Sequence, residues 1–126
     1  MLTLSVLPET LAICRLEREA GVPMWATGSF VSITRTRDEL SIVCTECDVP
    51  SGVKADRGWR ALKIEGPLDL ALTGVLASIA VPLAEAKINI FAISTFDTDY
   101  VLVKADRVAE AIGVLRSAGH YVISDE

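Results

Sequence analysis

Phe91-Ala92-Ile93-Ser94-Thr95-Phe96-Asp97-Thr98-Asp99-Tyr100-Val101-Leu102-Val103 is the stretch whose reading decides the fold. Ile93 on one side, and Tyr100, Leu102 and Val103 on the other, are the β-branched, aromatic and large apolar residues that a buried strand pair takes. Ser94 to Asp99 between them is polar and acidic, so the stretch predicts two strands joined by a short turn. That turn is either solvated, or its carboxylates Asp97 and Asp99 face something cationic.

Outward toward the C-terminus, Asp106 can cap a helix whose apolar face is Val108, Ala111, Ile112 and Leu115, with Gly119 as the C′ residue. Tyr121-Val122-Ile123 predicts a closing strand. His120, the only histidine, follows the C′ glycine and reads as a surface residue. In the other direction, Leu72, Val75, Leu76, Ile79 and Leu83 share one stripe at helical spacing, with Asp69 or Thr73 as N-cap. Pro82 inside that pattern predicts a kink or a loosened last turn. Trp59 to Ile64 predicts a strand, ended by Gly66-Pro67.

The first half is less regular. Phe30-Val31-Ser32-Ile33-Thr34 and Leu40-Ser41-Ile42-Val43-Cys44 predict a hairpin around the charged turn Arg35–Glu39. Leu2, Leu4 and Val6 alternate with Thr3 and Ser5, a half-buried strand that Pro8 and Glu9 break. Thr10 to Gly21 stays open on periodicity alone: Leu11, Cys14 and Arg18 permit a helix, whereas Leu11, Ile13 and Arg15 against Ala12, Cys14 and Leu16 permit a strand. Pro23-Met24-Trp25 is a short helical turn or a loop.

A shift of sixty residues lays Val31-Ser32-Ile33-Thr34 over Phe91-Ala92-Ile93-Ser94, and Asp38-Glu39-Leu40 over Thr98-Asp99-Tyr100, without a gap. Ile42-Val43 then falls on Leu102-Val103, and Leu2 and Leu4 on Leu62 and Ile64. Phase kept across two strands and a turn predicts two modules of the strand-helix-strand-strand-helix-strand type. The fold class expected is α+β: two tandem ferredoxin-like βαββαβ modules, with antiparallel sheets and helices on one face. The second module, 60–126, is complete. The first, 1–59, is degenerate, because the fourteen residues between Cys44 and Trp59 contain Pro50 and Gly52 and leave its second helix missing or reduced to a turn.

Composition narrows the function classes. The chain has 126 residues, 51% of them hydrophobic, and a mean hydropathy of +0.42. A small domain cannot readily hide that much apolar surface, which predicts an apolar subunit interface and a homodimer. The net charge is −5, and the twelve basic residues are dispersed. That argues against nucleic acid, which wants a basic patch, and against an anionic membrane surface. The longest uncharged run, Leu70 to Ala84, is shorter than the roughly 20 residues of a spanning helix. The first residues carry no signal-peptide pattern, and three cysteines without export signals fit reduced thiols in the cytoplasm.

Cys44-Thr45-Glu46-Cys47 is a C-x-x-C, but a zinc site takes four ligands and only Cys14 and His120 remain to complete one. A redox pair would want its first cysteine at a helix N-terminus, whereas Cys44 ends a strand. These read as packing cysteines, with no metal. Trp25 and Trp59 read as core or dimer contacts. With one histidine and no nucleophile elbow or phosphate-cradling loop, there is no catalytic constellation, so neither an enzyme nor a cofactor is expected.

Three stretches of the second half carry a family resemblance: Gly66-Pro67-Leu68-Asp69, Leu72-Thr73-Gly74-Val75-Leu76-Ala77-Ser78, and Phe91 to Tyr100. With Arg35 to Val43 and Gly58-Trp59-Arg60, the chain resembles the ACT-domain proteins, in particular small bacterial double-ACT proteins related to the CASTOR-type arginine sensors. The resemblance implies that Ala12 to Leu16 is extended. It also implies a regulatory module that binds a small amino acid at an interface between modules, near the start of the first helix and the following strand pair. The chemistry there is suitable. Thr73, Gly74, Val75 and Leu76 offer helix-start N–H groups to an α-carboxylate. Asp97 and Asp99 offer acceptors to an ammonium, and Ser94, Thr95 and Thr98 complete the set on the strength of the resemblance. The first module has Arg37, Asp38 and Glu39 in place of Asp97, Thr98 and Asp99, so two equivalent sites are not expected. The competing readings are an interaction module that docks a partner protein and takes no small molecule and, further off, a thiol-based metal or redox protein.

Overall fold

The computed structural model describes residues 1–69 and 73–124. Seven strands, β1 (Thr3–Leu16), β2 (Ser32–Arg35), β3 (Leu40–Thr45), β4 (Lys54–Ile64), β5 (Phe91–Ser94), β6 (Asp99–Lys104) and β7 (Tyr121–Ile123), accompany two helices, α1 (Val75–Glu85) and α2 (Val108–Ser117). The chain divides into two compact units, Met1–Pro8 with Arg60–Glu126, and Glu9–Trp59. The two units meet in sequence between Trp59 and Arg60, and residues 1–8 group with the larger one.

In the larger unit the ladder runs β7-β1-β4-β6-β5. β7 lies parallel to the start of β1, Thr3 opposite Tyr121 and Ser5 opposite Ile123, whereas β5 and β6 are antiparallel, Phe91 opposite Leu102 and Ser94 opposite Asp99. The core joins Leu4 and Val6 of β1, Leu62 and Ile64 of β4, and Val101 and Val103 of β6 to Ile79 and Leu83 of α1 and Val108, Ala111, Ile112 and Leu115 of α2. Both helices feed this one cluster and touch each other, so they cover the same sheet face. Burying each large aliphatic side chain is worth about 1.5–3 kcal/mol, and the buried face of α2 is the set its spacing predicts.

Gly119, at φ 96°, ends α2. Its N–H donates to Arg116 O at 3.0 Å, and His120 N–H donates to Leu115 O at 3.1 Å, the two bonds of a Schellman motif. The start of α1 differs from expectation: its N-cap is Gly74, at φ 77°, with no side-chain cap bond, and not Asp69 or Thr73. Leu72 lies outside the described residues. Asp106 does not cap α2 either; it sits in a 3₁₀ turn, Ala105–Arg107, and Arg107 precedes the helix. α1 stays helical through Pro82 to Glu85.

The smaller unit contains no α-helix. β3 pairs antiparallel with the outer part of β1, Leu11 opposite Thr45 and Leu16 opposite Leu40, and with β2, Ser32 opposite Val43. Its core is Ala12, Cys14, Leu40, Ile42, Cys44 and Val49, with Trp25, Val53 and Ala55 packed against it. Residues 10–16 are extended. Pro8 and Glu9 do not break β1, which runs through them for 14 residues. A strand proline forfeits one ladder donor without leaving the extended region, and Arg60 grips the carbonyl just before it, Nη2 donating to Leu7 O at 2.8 Å.

The repeat is real but one residue shorter than the sequence suggests. The β2–β3 and β5–β6 pairs, and the 3₁₀ turns at Glu46–Asp48 and Ala105–Arg107, coincide under a shift of 59. Thr36 therefore matches Thr95: each donates its N–H to the carbonyl three residues on at 2.9 Å, Glu39 O and Thr98 O respectively. A slip of one residue exchanges the two faces of a strand, so the turn equivalents are Asp38 for Asp97 and buried Leu40 for Asp99.

Candidate functional site

The β5–β6 turn is built from the two threonines that bracket it. Thr95 donates its backbone N–H to Thr98 O at 2.9 Å, and its hydroxyl donates to the same oxygen at 3.0 Å. Thr98 is buried, and its hydroxyl donates to Ile64 O at the end of β4. Leu68 N–H, just past β4, donates to Asp97 O at 2.7 Å. The approach is close enough that a Cβ on Gly66 would lie 2.9 Å from Leu68 N and 3.2 Å from Asp97 O. Turn and post-β4 segment thus form one tied wall, with the first residue of α1 facing it.

Between them lies a pocket of about 230 Å³. Ser94, Thr95, Phe96, Asp97, Thr98 and Asp99 line it from the turn, Leu68 and Asp69 from the segment after β4, and Val75 from α1. Six of the nine residues expected from the sequence, Val75, Ser94, Thr95, Asp97, Thr98 and Asp99, therefore meet at one concavity. Thr73, Gly74 and Leu76 are not in its lining: Thr73 and Gly74 are exposed, and Leu76 packs partly against the core. All lining residues belong to the larger unit.

Leu68, Asp69 and Phe96 also line the pocket and are not among the candidates the sequence offers, although each stands inside a quoted motif. Phe96 is 80% exposed at the tip of the turn, and an aromatic ring left in water beside a pocket is the signal that could have found it. The chemistry offered is one-sided. Asp69, Asp97 and Asp99 bring carboxylates, and among the described residues no lysine, arginine or histidine lines the pocket. The counterweight is the start of α1, whose leading N–H groups have no intrahelical acceptor and mark the positive end of the helix dipole. The two threonine hydroxyls are spent on holding the turn.

Among the described residues no group of three or more His, Cys, Asp or Glu is placed to hold a metal ion. Cys44 is buried, its thiol pushed up to about 11, chiefly by burial and then by Cys14 and Asp48. Burial likewise raises Cys14, while Cys47 is exposed on the 3₁₀ turn. His120 corrects the surface reading: it is buried, with Nδ1 accepting Leu2 N–H at 3.1 Å and Nε2 3.1 Å from Ser78 O.

A ferredoxin-like unit with two helices, a helix-free repeat of its strand pair and a pocket between the β5–β6 turn and α1 together define an ACT-type protein. A family model described as "ACT domain" matches residues 54–117, and a second, for an N-terminal domain, matches 9–52. The chain belongs to the ACT-domain family. A structural-genomics target from Agrobacterium tumefaciens is 40% identical and superposes with a TM-score of 0.93 over 99% of this chain and 94% of that one. The regulatory subunit of aspartate kinase from Thermus thermophilus shares the fold, with a TM-score of 0.61 at 13% identity over 90% of this chain and 96% of that one. Among curated proteins, the bovine cytosolic arginine sensor for mTORC1 subunit 1 is 33% identical over 108 residues, 79% of this chain. Its human counterpart is 44% identical over 59 residues, 46% of this chain and 18% of its own length. The chain spans only about a third of the length of the bovine relative. No helix among the described residues is long and apolar enough to cross a membrane.

Proposed function

We propose that this protein is a non-catalytic regulatory module that binds a small amino acid in the pocket between the β5–β6 turn and α1. The observation carrying this reading is the meeting of Asp97 and Asp99 with the first turn of α1 at one concavity of an ACT module. A zwitterion needs both: acceptors for its ammonium and N–H donors for its carboxylate. The name of the mammalian relative, an arginine sensor, supports an amino acid as ligand class. Homodimerisation and a cytoplasmic setting belong to the same proposal, whereas the pocket is lined from the larger unit alone. A ligand would then act by favouring one arrangement of modules over another.

The test is a thermal-melt screen of the purified chain against the twenty amino acids. A ligand at a hundred times its dissociation constant adds about 2.7 kcal/mol to stability, which for a domain of this size raises Tm by several degrees. Asp99→Ala and Asp97→Ala should abolish that rise while leaving the unliganded Tm within a degree or two. A flat panel for the wild-type chain overturns the reading. It would favour the alternative, an interaction module docking a partner protein, which the exposed Phe96, Val81, Tyr121 and Ile123 support.

A further inference from the structure

Pro82 occupies the position in α1 whose amide would close onto Ser78 O, and a proline nitrogen carries no hydrogen. Ser78 O does not go without a donor, because His120 Nε2 lies 3.1 Å from it. The tautomer follows from the other ring nitrogen. Leu2 N–H can only donate, so Nδ1, 3.1 Å away, is the acceptor, and the one proton of a neutral imidazole sits on Nε2. The Schellman turn at Gly119 brings the ring inward.

The same turn of helix faces the pocket. Ser78 N–H donates to Gly74 O at 3.0 Å, Ser78 Oγ donates to Val75 O at 2.7 Å, and Val75 lines the cavity. Tyr121 N–H, next to the histidine, donates to Leu2 O at 2.9 Å. One imidazole therefore joins the start of β1, the pocket-side turn of α1 and the end of α2.

We propose that His120 is a positioning residue for the pocket: its Nε2–H replaces the amide that Pro82 removes and holds the first turn of α1 in place. The replacement of the amide stands without any ligand; its consequence for binding rests on the function proposed above.

The test is a double-mutant cycle of His120→Leu, Pro82→Ala and the pair, read by thermal melting and by backbone amide spectra without ligand. His120→Leu should lower Tm by several degrees and shift the Val75 and Ser78 amide resonances. With Pro82→Ala, residue 82 regains an N–H for Ser78 O, so His120→Leu should cost several degrees less in that background and the two resonances should return toward their wild-type positions. Proline's effect on the unfolded chain cancels in the cycle. Should His120→Leu fail to fold, His120→Gln takes its place in the cycle, with a smaller loss because an amide N–H can still reach Ser78 O. The nitrogen spectrum of the wild-type chain's single imidazole should show the Nε2–H tautomer. An additive cycle, unmoved Val75 and Ser78 resonances, or an Nδ1–H tautomer overturns the proposal. Because every reading is made without ligand, the proposal can stand while the amino-acid screen is flat.

Discussion

Cys44 and Cys47 lie three positions apart and face opposite environments. Cys44 is fully buried in the core of the smaller unit, and Cys47 stands in water. Below its raised value of about 11 the Cys44 thiol stays protonated, and the thiolate is the reactive form. Alkylation of the native chain at pH 8 should therefore mark Cys47 rapidly and leave Cys14 and Cys44 protected until denaturant is added. Mass spectrometry showing three equally fast labels would contradict this burial. The packing role read from the sequence holds for Cys44, which closes an apolar strand, and fails for Cys47, which the 3₁₀ turn carries into water; the sequence also hid the role of His120. A histidine after a C′ glycine looks solvated until two further facts combine. The C″ residue of a Schellman turn folds back on its helix, and Pro82, 38 residues earlier in the chain, has left a carbonyl without its donor.

Elements were legible in proportion to how much of their pattern is packing. The apolar face of α2 could be read directly, because Val108, Ala111, Ile112 and Leu115 are all buried against one core. The start of α1 could not, because it is set by a glycine in the left-handed region and not by the side-chain caps that Asp69 and Thr73 suggested. The repeat was visible yet misplaced by one residue, since Ile33 and Ile93 are the most alike positions but are not equivalent: Ile33 matches Ala92 across the 59-residue shift. The lining of the candidate pocket was legible where its motif is local, in Ser94 to Asp99, and not where the segment after β4 folds against it. That second wall supplies a prediction at this scale. Gly66→Ala should cost about 1–3 kcal/mol, the range for overpacking against atoms that cannot yield, because the neighbours it meets are backbone atoms of Leu68 and Asp97. Chemical denaturation would show a lower midpoint with an unchanged slope. A midpoint equal to the wild type would mean that the wall is loose.

At the scale of the molecule, the larger unit is discontinuous in sequence: residues 9–59 interrupt it between Pro8 and Arg60. Nothing in the alternation of Leu2, Leu4 and Val6 reveals this, since the strand's partner in β7 is 118 residues away. Leu4 is fully buried in the core of that unit, so a fragment of residues 60–126 alone lacks a central strand of its own ladder. It should fail to show a cooperative melt by circular dichroism, whereas the whole chain melts cooperatively; a fragment with a sharp transition would show that β1 is dispensable. The interruption also imposes a timetable. A ribosome adding about 5–20 residues per second needs roughly 6–24 s to travel from Thr3 to Tyr121. During that interval the inserted unit can close on itself, while the start of β1 keeps a bare apolar edge until β7 arrives.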